Sequence, residues 1–476
     1  MTTTRESYNQ ERRDHWDAVA RATDAWRGLG GYYHQRLAEV HQHLVAPGLR
    51  VLEIGCGQGD LLVKVKPSYG VGIDFSPEMI SRAKARHPEL TFIQADAHEL
   101  NLGETFDVII LSDLVNDIWD VQQVLQAVSR HCNPSTRVIM SFFSQLYQWP
   151  LRVARRFKLA RPNLQQNWLA NEDVSHLLTL AGLEPIRRQQ ELVWLLRLPL
   201  IDAACNRVLV RFAPWRWLAL CNVLVARPVT TAALPENPPI VSVIVPARNE
   251  SGNIAAIFDR TPEMGAGTEL VFVEGHSSDD TYAAIEREIA ARPGRRAKLL
   301  KQSGKGKGDA VRAGYAAATG EVLMILDADL TVPPEDLPRF YEALVTNRGE
   351  FINGVRLVYP MEKQAMRFLN MLGNKFFGLA FSWLLGQPVR DTLCGTKVLY
   401  KKDYNRIAAN RAYFGDFDPF GDFDLIFGAA KLNLKMIDLP IRYRERTYGT
   451  TNIQRWKHGL MLLRMLWFAA WRIKFV

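Results

Sequence analysis

Cysteine is scarce: Cys56, Cys132, Cys205, Cys221 and Cys394 are the only five, scattered and never spaced CxxC. That excludes a zinc ribbon or a disulfide scaffold and suits a reducing compartment. The opening stretch, MTTTRESYNQERRDHWD, lacks the apolar core of a secretory signal, so the chain is expected to stay in the cytoplasm. Long apolar runs are missing too, because no window reaches the roughly 18 uncharged residues of a spanning helix. The longest, Phe376 to Val389, has 14 residues and contains two glycines and a proline. There is no internal repeat or low-complexity tract. At 47% hydrophobic and 23% charged, the composition excludes disordered and collagen-like classes. At 476 residues, two or three domains are expected, each able to bury a core.

Charge is segmented. Residues 1–136 carry 13 Lys and Arg against 18 Asp and Glu, whereas 137–230 carry 13 against 5. Residues 240–434 balance at 24 against 24, and 435–476 carry 9 against 2. The net +9 therefore comes from two basic segments, both rich in Leu, Trp and Phe. Basic plus apolar fits a membrane surface better than a nucleic-acid groove. With no helix-turn-helix, zinc finger or single-strand aromatic platform, no nucleic-acid partner is expected. The plainer reading of these stretches is core helices with snorkelling arginines.

The clearest break is PVTTAALPENPPI, Pro228 to Ile240, with four prolines and no periodicity. It sets a first domain at 1–230, a linker at 231–239 and a second domain at 240–476. β-like runs alternate with helical ones on both sides, so each half is expected to be a mostly parallel α/β sheet.

In the first half, RVLEI (50–54) reads as a buried strand running into Gly55-Cys56-Gly57-Gln58-Gly59, with a helix from Asp60. Glycines there let the backbone approach a ligand, and the helix N-terminus offers free N–H groups. The next strand, YGVGID, ends at Asp74, where a ribose hydroxyl pair is held in such sheets. Ser76-Pro77-Glu78 then caps a new helix. The dinucleotide fingerprint fails, because its last glycine is Asp60.

VLEIGCGQGD, GIDFSPEMI, FIQADAHEL and FDVIILSDLVNDIWD resemble, in order and spacing, the motifs of class I S-adenosylmethionine-dependent methyltransferases over about residues 35–145. The resemblance implies a Rossmann-like sheet and S-adenosylmethionine as cofactor. It places Gly55, Gly57 and Gly59 against the methionine moiety, Asp74 on the ribose, Asp96 and Ala97 beside the adenine, and Glu53 in support near the methionine end. Where many relatives carry a His pair after the fourth strand, this chain has Asn116-Asp117, which makes Asp117 a base candidate and keeps a non-catalytic binding module open as the alternative. The basic, Trp-rich stretch after it (Trp149, Arg155, Arg156, Trp194, Trp215, Trp217) suggests a lipid-linked or anionic acceptor.

In the second half, Ile240 to Pro246 and ELVFVE, ending at Glu274, read as strands, and EVLMILDADL reads as a third that exposes Asp327 and Asp329 at its carboxyl end. Two carboxylates two apart point to one side of an extended chain. They repel unless a cation neutralises them, and oxygen ligands favour Mg²⁺ or Mn²⁺ bridging to a diphosphate. The upstream KQSGKGKGDAVRAGY is no Walker A loop but suits an anion.

SVIVPARNE, VEGHSSDDT, GKGKGDAVRAGY, LDADL, NGVR, DTLCGTK, FGDFDLIFGAA and YRERTYGTTN resemble family-2 glycosyltransferases, with their GT-A nucleotide-diphosphosugar fold, over about 240–456. The resemblance implies a nucleoside pocket lined by Pro246, Arg248, Glu250 and Glu274, with Lys305 and Arg312 on the nucleotide side. It gives the ribose to Asp327 and the metal diphosphate to Asp329, the two forming the metal pair. Arg444 and Arg446 add positive charge. The family's base falls on Asp424, preferred, or Asp422. The closest likeness is to the polyprenyl-phosphate (dolichol-phosphate mannose synthase-like) branch, whose R-x-x-G-x-S-K motif reads here Arg446-Thr447-Tyr448-Gly449-Thr450-Thr451-Asn452. The implied partners are a nucleotide sugar and a polyprenyl-phosphate or glycolipid acceptor. The tail RWKHGLMLLRMLWFAAWRIKF suits docking on a membrane surface or a membrane protein. The combined expectation is a bifunctional enzyme of cell-surface polysaccharide or glycolipid synthesis, peripheral to the cytoplasmic face. The alternative is a glycosyltransferase alone, acting on a glycan or small molecule.

Overall fold

The computed structural model describes residues 4–22, 28–157, 164–229, 233–356, 358, 368–411, 421–444, 446, 448 and 455–476. Residues 28–29, 154–155, 368–370 and 455–458 are followed as backbone only. Of the tail motif, Arg446 and Tyr448 are described, while Thr447, Gly449, Thr450, Thr451 and Asn452 lie outside the described residues, as do 231 and 232 of the linker. Two compact units result: Met1–Thr230 with Lys474–Val476, and Thr231–Ile473.

The first unit has strands β1 (Arg50–Ile54), β2 (Tyr69–Asp74), β3 (Thr91–Gln94), β4 (Phe106–Ser112), β5 (Cys132–Phe143), β6 (Leu183–Glu191) and β7 (Cys221–Pro228), in the order β3-β2-β1-β4-β5-β7-β6. The first five neighbours run parallel, while β7 is antiparallel to both β5 and β6. The sheet is therefore mixed. β1, β4 and β7 are buried on both faces, which is why their sequences are continuous apolar runs. One apolar layer holds Leu52, Ile54, Ile109 and Met140, and the opposite layer holds Val51, Val108, Ile110 and Ile139. The order reverses between β1 and β4. Ligands of open α/β sheets bind in the crevice beyond the carboxyl ends of the strands flanking that reversal.

The second unit has strands β8 (Val241–Ala247), β9 (Thr268–Glu274), β10 (Ala297–Lys301), β11 (Val322–Ile325), β12 (Phe351–Val355), β13 (Lys397–Tyr400) and β14 (Met436–Pro440), in the order β10-β9-β8-β11-β13-β12-β14. Here β13 is the antiparallel member, paired with β11 and β12. The expected third strand is shorter than anticipated. β11 ends at Ile325, and Asp327 to Leu330 form a turn in which the Leu330 N–H donates to the Asp327 carbonyl at 3.2 Å. The two acids do not share one side of an extended chain, and they take different partners.

Candidate functional site

The glycine loop of the first unit is pinned to β2. The N–H groups of Gly55 and Cys56 both donate to the Ile73 carbonyl, at 2.7 and 2.9 Å. The loop turns through φ of +52° at Gly57, where an added Cβ would meet open space. At Gly59 a Cβ would instead strike the Phe92 ring at 2.6 Å, so packing as well as φ requires glycine there. Asp74 accepts from the N–H groups of Gly57 and Ser76, both at 2.9 Å, tying the loop to the cap of the helix Pro77–Arg86. Burial lifts the Asp74 pKa to about 6 despite these bonds. Beneath the loop, Glu53 is 2% exposed, and one of its oxygens has no hydrogen-bond partner. Burial pushes its pKa well up. A buried acceptor without a donor, under a glycine loop that opens on free space, fits a cofactor carrying an ammonium and a ribose.

Sequence reasoning missed what covers this edge. Helix α1 (Arg5–Ala22) reaches Ser76, Asp96 and Asp117 in turn. Asp17 accepts from the Ser76 hydroxyl at 2.5 Å. Asn9 and Arg5 donate to Asp96 at 3.0 and 3.2 Å. Trp16 donates its indole N–H to Asp117 at 2.6 Å, and Arg12, 2% exposed, donates to the same carboxylate at 3.0 Å. Burial opposes ionisation of Asp96, but bonds from His98 and Arg5 outweigh it and hold its pKa below the carboxylate range. Asp117 is thus the latch of α1, not a base open to an acceptor. Asn116 is fully buried; its amide bridges the Asn167 carbonyl and the Phe143 N–H. Replacing Trp16 by Phe removes one charge-assisted hydrogen bond and should cost about 1.5–3 kcal/mol. The readout is faster hydrogen exchange along residues 5–22; unchanged protection would show that the latch does not hold the helix.

A further acid, Asp113, stands one residue beyond the carboxyl end of β4, with φ +58°. The Tyr33 hydroxyl reaches both its oxygens, at 2.8 and 2.9 Å, and the Ser141 hydroxyl lies at 3.2 Å. Burial raises its pKa to about 6. The sequence signal was the acid itself, directly following the apolar run FDVIILS at the reversal of the sheet.

In the second unit, the turn after β11 separates the acids. Asp327 pairs with the Lys307 ammonium at 2.6 Å. Lys307 opens the helix Lys307–Ala317, whereas the expected Lys305 is exposed and forms no ion pair among the described residues. Burial disfavours the Lys307 charge, but Asp327 and Asp422 outweigh it and raise its pKa. Asp422 also faces the fully buried Lys397 at 3.4 Å. Asp424 turns elsewhere, to Arg411 at 2.6 Å. The structure therefore brings Asp422, not the preferred Asp424, into the Asp327 cluster. The DTLCGTK loop closes over it: a Cβ at Gly395 would overlap the Asp327 carboxylate and the Lys307 ammonium. That loop is anchored by the bidentate Arg356–Asp391 pair at 2.7 and 2.8 Å.

Asp329 accepts from the Thr331 hydroxyl at 2.8 Å and from Arg446 at 2.6 Å. The same guanidinium reaches Glu250 at 3.0 Å. Burial lifts the Glu250 pKa to about 7, with Arg446 opposing it. Three expected residues, Glu250, Asp329 and Arg446, thus meet. Arg444 instead lines a cleft of about 440 Å³ with Glu335, Arg339 and Arg442. Glu274, buried, accepts from the Ser277 N–H at 2.5 Å, while Arg248 is exposed and Pro246 and Arg312 are half-buried. Among the described residues no three His, Cys, Asp or Glu side chains converge. Two hard carboxylates next to cations that attract phosphate still fit Mg²⁺ or Mn²⁺, which takes one or two carboxylates with diphosphate oxygens and water completing its shell.

Residues 242–407 match the model of Glycosyl transferase family 2, and residues 46–196 match that of a Methyltransferase domain. Among curated proteins, the chain is 29% identical over 232 residues to the undecaprenyl-phosphate 4-deoxy-4-formamido-L-arabinose transferase of Edwardsiella ictaluri, covering 47% of this chain and 64% of that protein. It is 34% identical to the dolichol-phosphate mannosyltransferase of Pyrococcus furiosus, over 45% of this chain and 59% of the relative. It is 29% identical to the dolichyl-phosphate hexose transferase of Haloferax volcanii, over 46% of this chain and 89% of the relative. The chain thus spans just under two thirds of the first relative's length. Among solved structures, a magnesium protoporphyrin IX methyltransferase from Synechocystis is similar at 17% identity and a TM-score of 0.33, covering 47% of this chain and 97% of that one. The chain therefore joins a methyltransferase domain to a family-2 glycosyltransferase domain.

Proposed function

We propose that the second unit transfers a sugar from a nucleotide donor to a polyprenyl phosphate with inversion, and that the first unit uses S-adenosylmethionine to methylate the resulting glycolipid or an intermediate of the same cell-surface pathway. The observation that carries this is the meeting of Glu250, Asp329 and Arg446, where one guanidinium spans two acids at the edge of a nucleotide-type sheet. The three relatives named above, all polyprenyl-phosphate sugar transferases by name, support the acceptor class. Asp329, with Asp327, would hold a divalent cation, which would supply charge neutralisation at the leaving diphosphate. Lys307 holds Asp327 in place, and Arg446 is positioned to leave Glu250 for phosphate oxygens. Association with the cytoplasmic face of a membrane is part of the same reading. No helix among the described residues is long and apolar enough to cross one.

A phosphate monoester is already largely ionised at neutral pH, its second pKa being about 6. Asp422 therefore positions the acceptor through its lysines more than it deprotonates it. Asp422→Asn is expected to slow transfer to polyprenyl phosphate by only about tenfold, whereas loss of a true general base costs about 10²–10⁴. A loss in the larger range would assign the acceptor a hydroxyl.

The decisive experiment is mass spectrometry of one reaction. The protein is incubated with Mg²⁺ or Mn²⁺, a sugar-nucleotide panel and polyprenyl phosphate, with and without S-adenosylmethionine. A lipid heavier by one sugar supports the acceptor, and a further methyl increment supports both units acting on one product. Nucleotide release with unchanged lipid would overturn the polyprenyl-phosphate reading.

A further inference from the structure

The first unit carries an apolar face that its own core leaves uncovered. Helix α2 spans Gly28–Leu44, α3 Asp60–Lys64, α4 Pro77–Arg86, α5 Val121–Ser129 and α6 Gln148–Arg156. In α6 and its flanks, Leu146, Trp149, Val153 and Phe157 recur at spacings of three and four, one stripe of a helix. Such a stripe ordinarily faces the core. Here all four are exposed, by 60%, 66%, 52% and 67%. Arg152 lies with its guanidinium 4.8 Å from the Trp149 ring centre, the stem and aromatic body lying together and the charge at their edge.

A second segment continues this surface. The Tyr147 hydroxyl donates to the Leu218 carbonyl at 2.7 Å, and the Ser144 N–H to the Leu220 carbonyl at 2.8 Å. That places α6 beside the short turn Trp215–Leu218, whose Trp215, Trp217 and Leu218 are also exposed. Further back in the same segment, Leu200 is 85% exposed and held at φ +69°, a conformation that costs a leucine energy. Across residues 144–157 and 196–218, Asp202 is the only acid, against seven arginines, of which Arg211 is buried against Glu191 and Arg207 faces Glu39, while Arg152 and Arg216 are exposed.

We propose that this face docks the methyltransferase unit on an anionic lipid bilayer. Tryptophans backed by arginine, with almost no acid between them, match the depth profile of an interface: rings at headgroup level, cations on lipid phosphates. The face begins at the ligand edge of the sheet. β5 ends at Phe143, which stacks on Tyr33 at 5.5 Å, the residue that holds Asp113, and the chain enters α6 five residues later. An acceptor anchored in the bilayer would therefore be presented beside the crevice. This inference rests on the lipid-linked reading above for its acceptor, but not for the docking itself.

The test is hydrogen–deuterium exchange on the full chain with phosphatidylcholine vesicles, with and without phosphatidylglycerol. Protection of 145–157 and 209–218 that requires the anionic lipid is expected. Each cation near such a surface is worth about 1 kcal/mol, so Arg152→Ser with Arg216→Ser should weaken vesicle partitioning by about thirtyfold. The same variant should still glycosylate polyprenyl phosphate in detergent. Protection confined to 459–476, or protection of this face that grows with protein concentration and ignores vesicles, would overturn the proposal; the latter would mark the face as a contact between two copies. Docking with no sugar transfer in detergent by the unmodified chain would sink the acceptor reading and leave the docking face standing.

Discussion

Asp329→Asn is expected to lower sugar transfer by about a thousandfold with methyl transfer unchanged. A carboxylate that holds a divalent ion against a leaving diphosphate is worth several kcal/mol, and each 1.36 kcal/mol is about tenfold in rate. The local charges sharpen the expectation. Arg446 spans Asp329 at 2.6 Å and Glu250 at 3.0 Å, so removing the Asp329 charge leaves Glu250 as the acid of this pair that holds the guanidinium. The Glu250 pKa, raised to about 7 by burial, with Arg446 opposing the rise and Asp329 adding to it, should then fall, because the repelling acid is gone and the attracting cation remains. Two readouts separate this from general damage. Nucleoside diphosphate binding should lose its dependence on Mn²⁺ while the metal-independent part survives, and thermal stability should change little. A variant that keeps a tenth or more of its transfer rate would show that the pair does not hold the metal diphosphate.

Legibility in the sequence followed the range of the interactions. β1 and the glycine loop to Asp74 were readable because apolar runs, positive-φ glycines and a capped Ser-Pro-Glu turn are all local signals, and the elements begin and end at the expected residues. The GT-A-like order of motifs was equally plain. What the sequence hid was contact across the chain. Nothing local says that Asn9 will reach Asp96, or that Arg12 and Trp16 will reach Asp117, about a hundred residues away. The choice of Lys307 over Lys305 depends on where a helix starts: Gly306 at φ +87° ends the loop, and the next residue lies on the first turn, facing Asp327. The DADL segment was read as strand from its apolar lead, VLMIL. The alternation ended at Ile325, and the two acids went to opposite partners because the chain turns between them. Asp422 and Asp424 could not be ranked from spacing, since the first turn of a helix sends neighbours two apart to different sides.

Asp113 should set the acidic limb of methyl transfer. Transfer to a hydroxyl releases a proton, and a positioned base is worth about 10²–10⁴. Asp113 is the acid placed for it: it follows β4 at the reversal of strand order, beside the glycine loop, where a Cβ on Gly55 would already touch Leu114 at 2.9 Å. Its pKa is raised to about 6 by burial, so it is ionised and able to accept a proton above that pH and is protonated below it. The rate on the acceptor identified by mass spectrometry should therefore fall as pH drops through about 6. Asp113→Asn should remove both the rate and the limb while S-adenosylmethionine binding persists. Tyr33→Phe gives the finer signature. The Tyr33 hydroxyl bonds both carboxylate oxygens and favours the charged form, so its loss should raise the Asp113 pKa and shift the limb to higher pH. A structural role alone would lower the rate at every pH and leave the limb in place. If the limb does not move in Tyr33→Phe and survives in Asp113→Asn, the proton leaves by another route. Asp117 is a poor substitute for it, because Arg12 and Trp16 already hold that carboxylate.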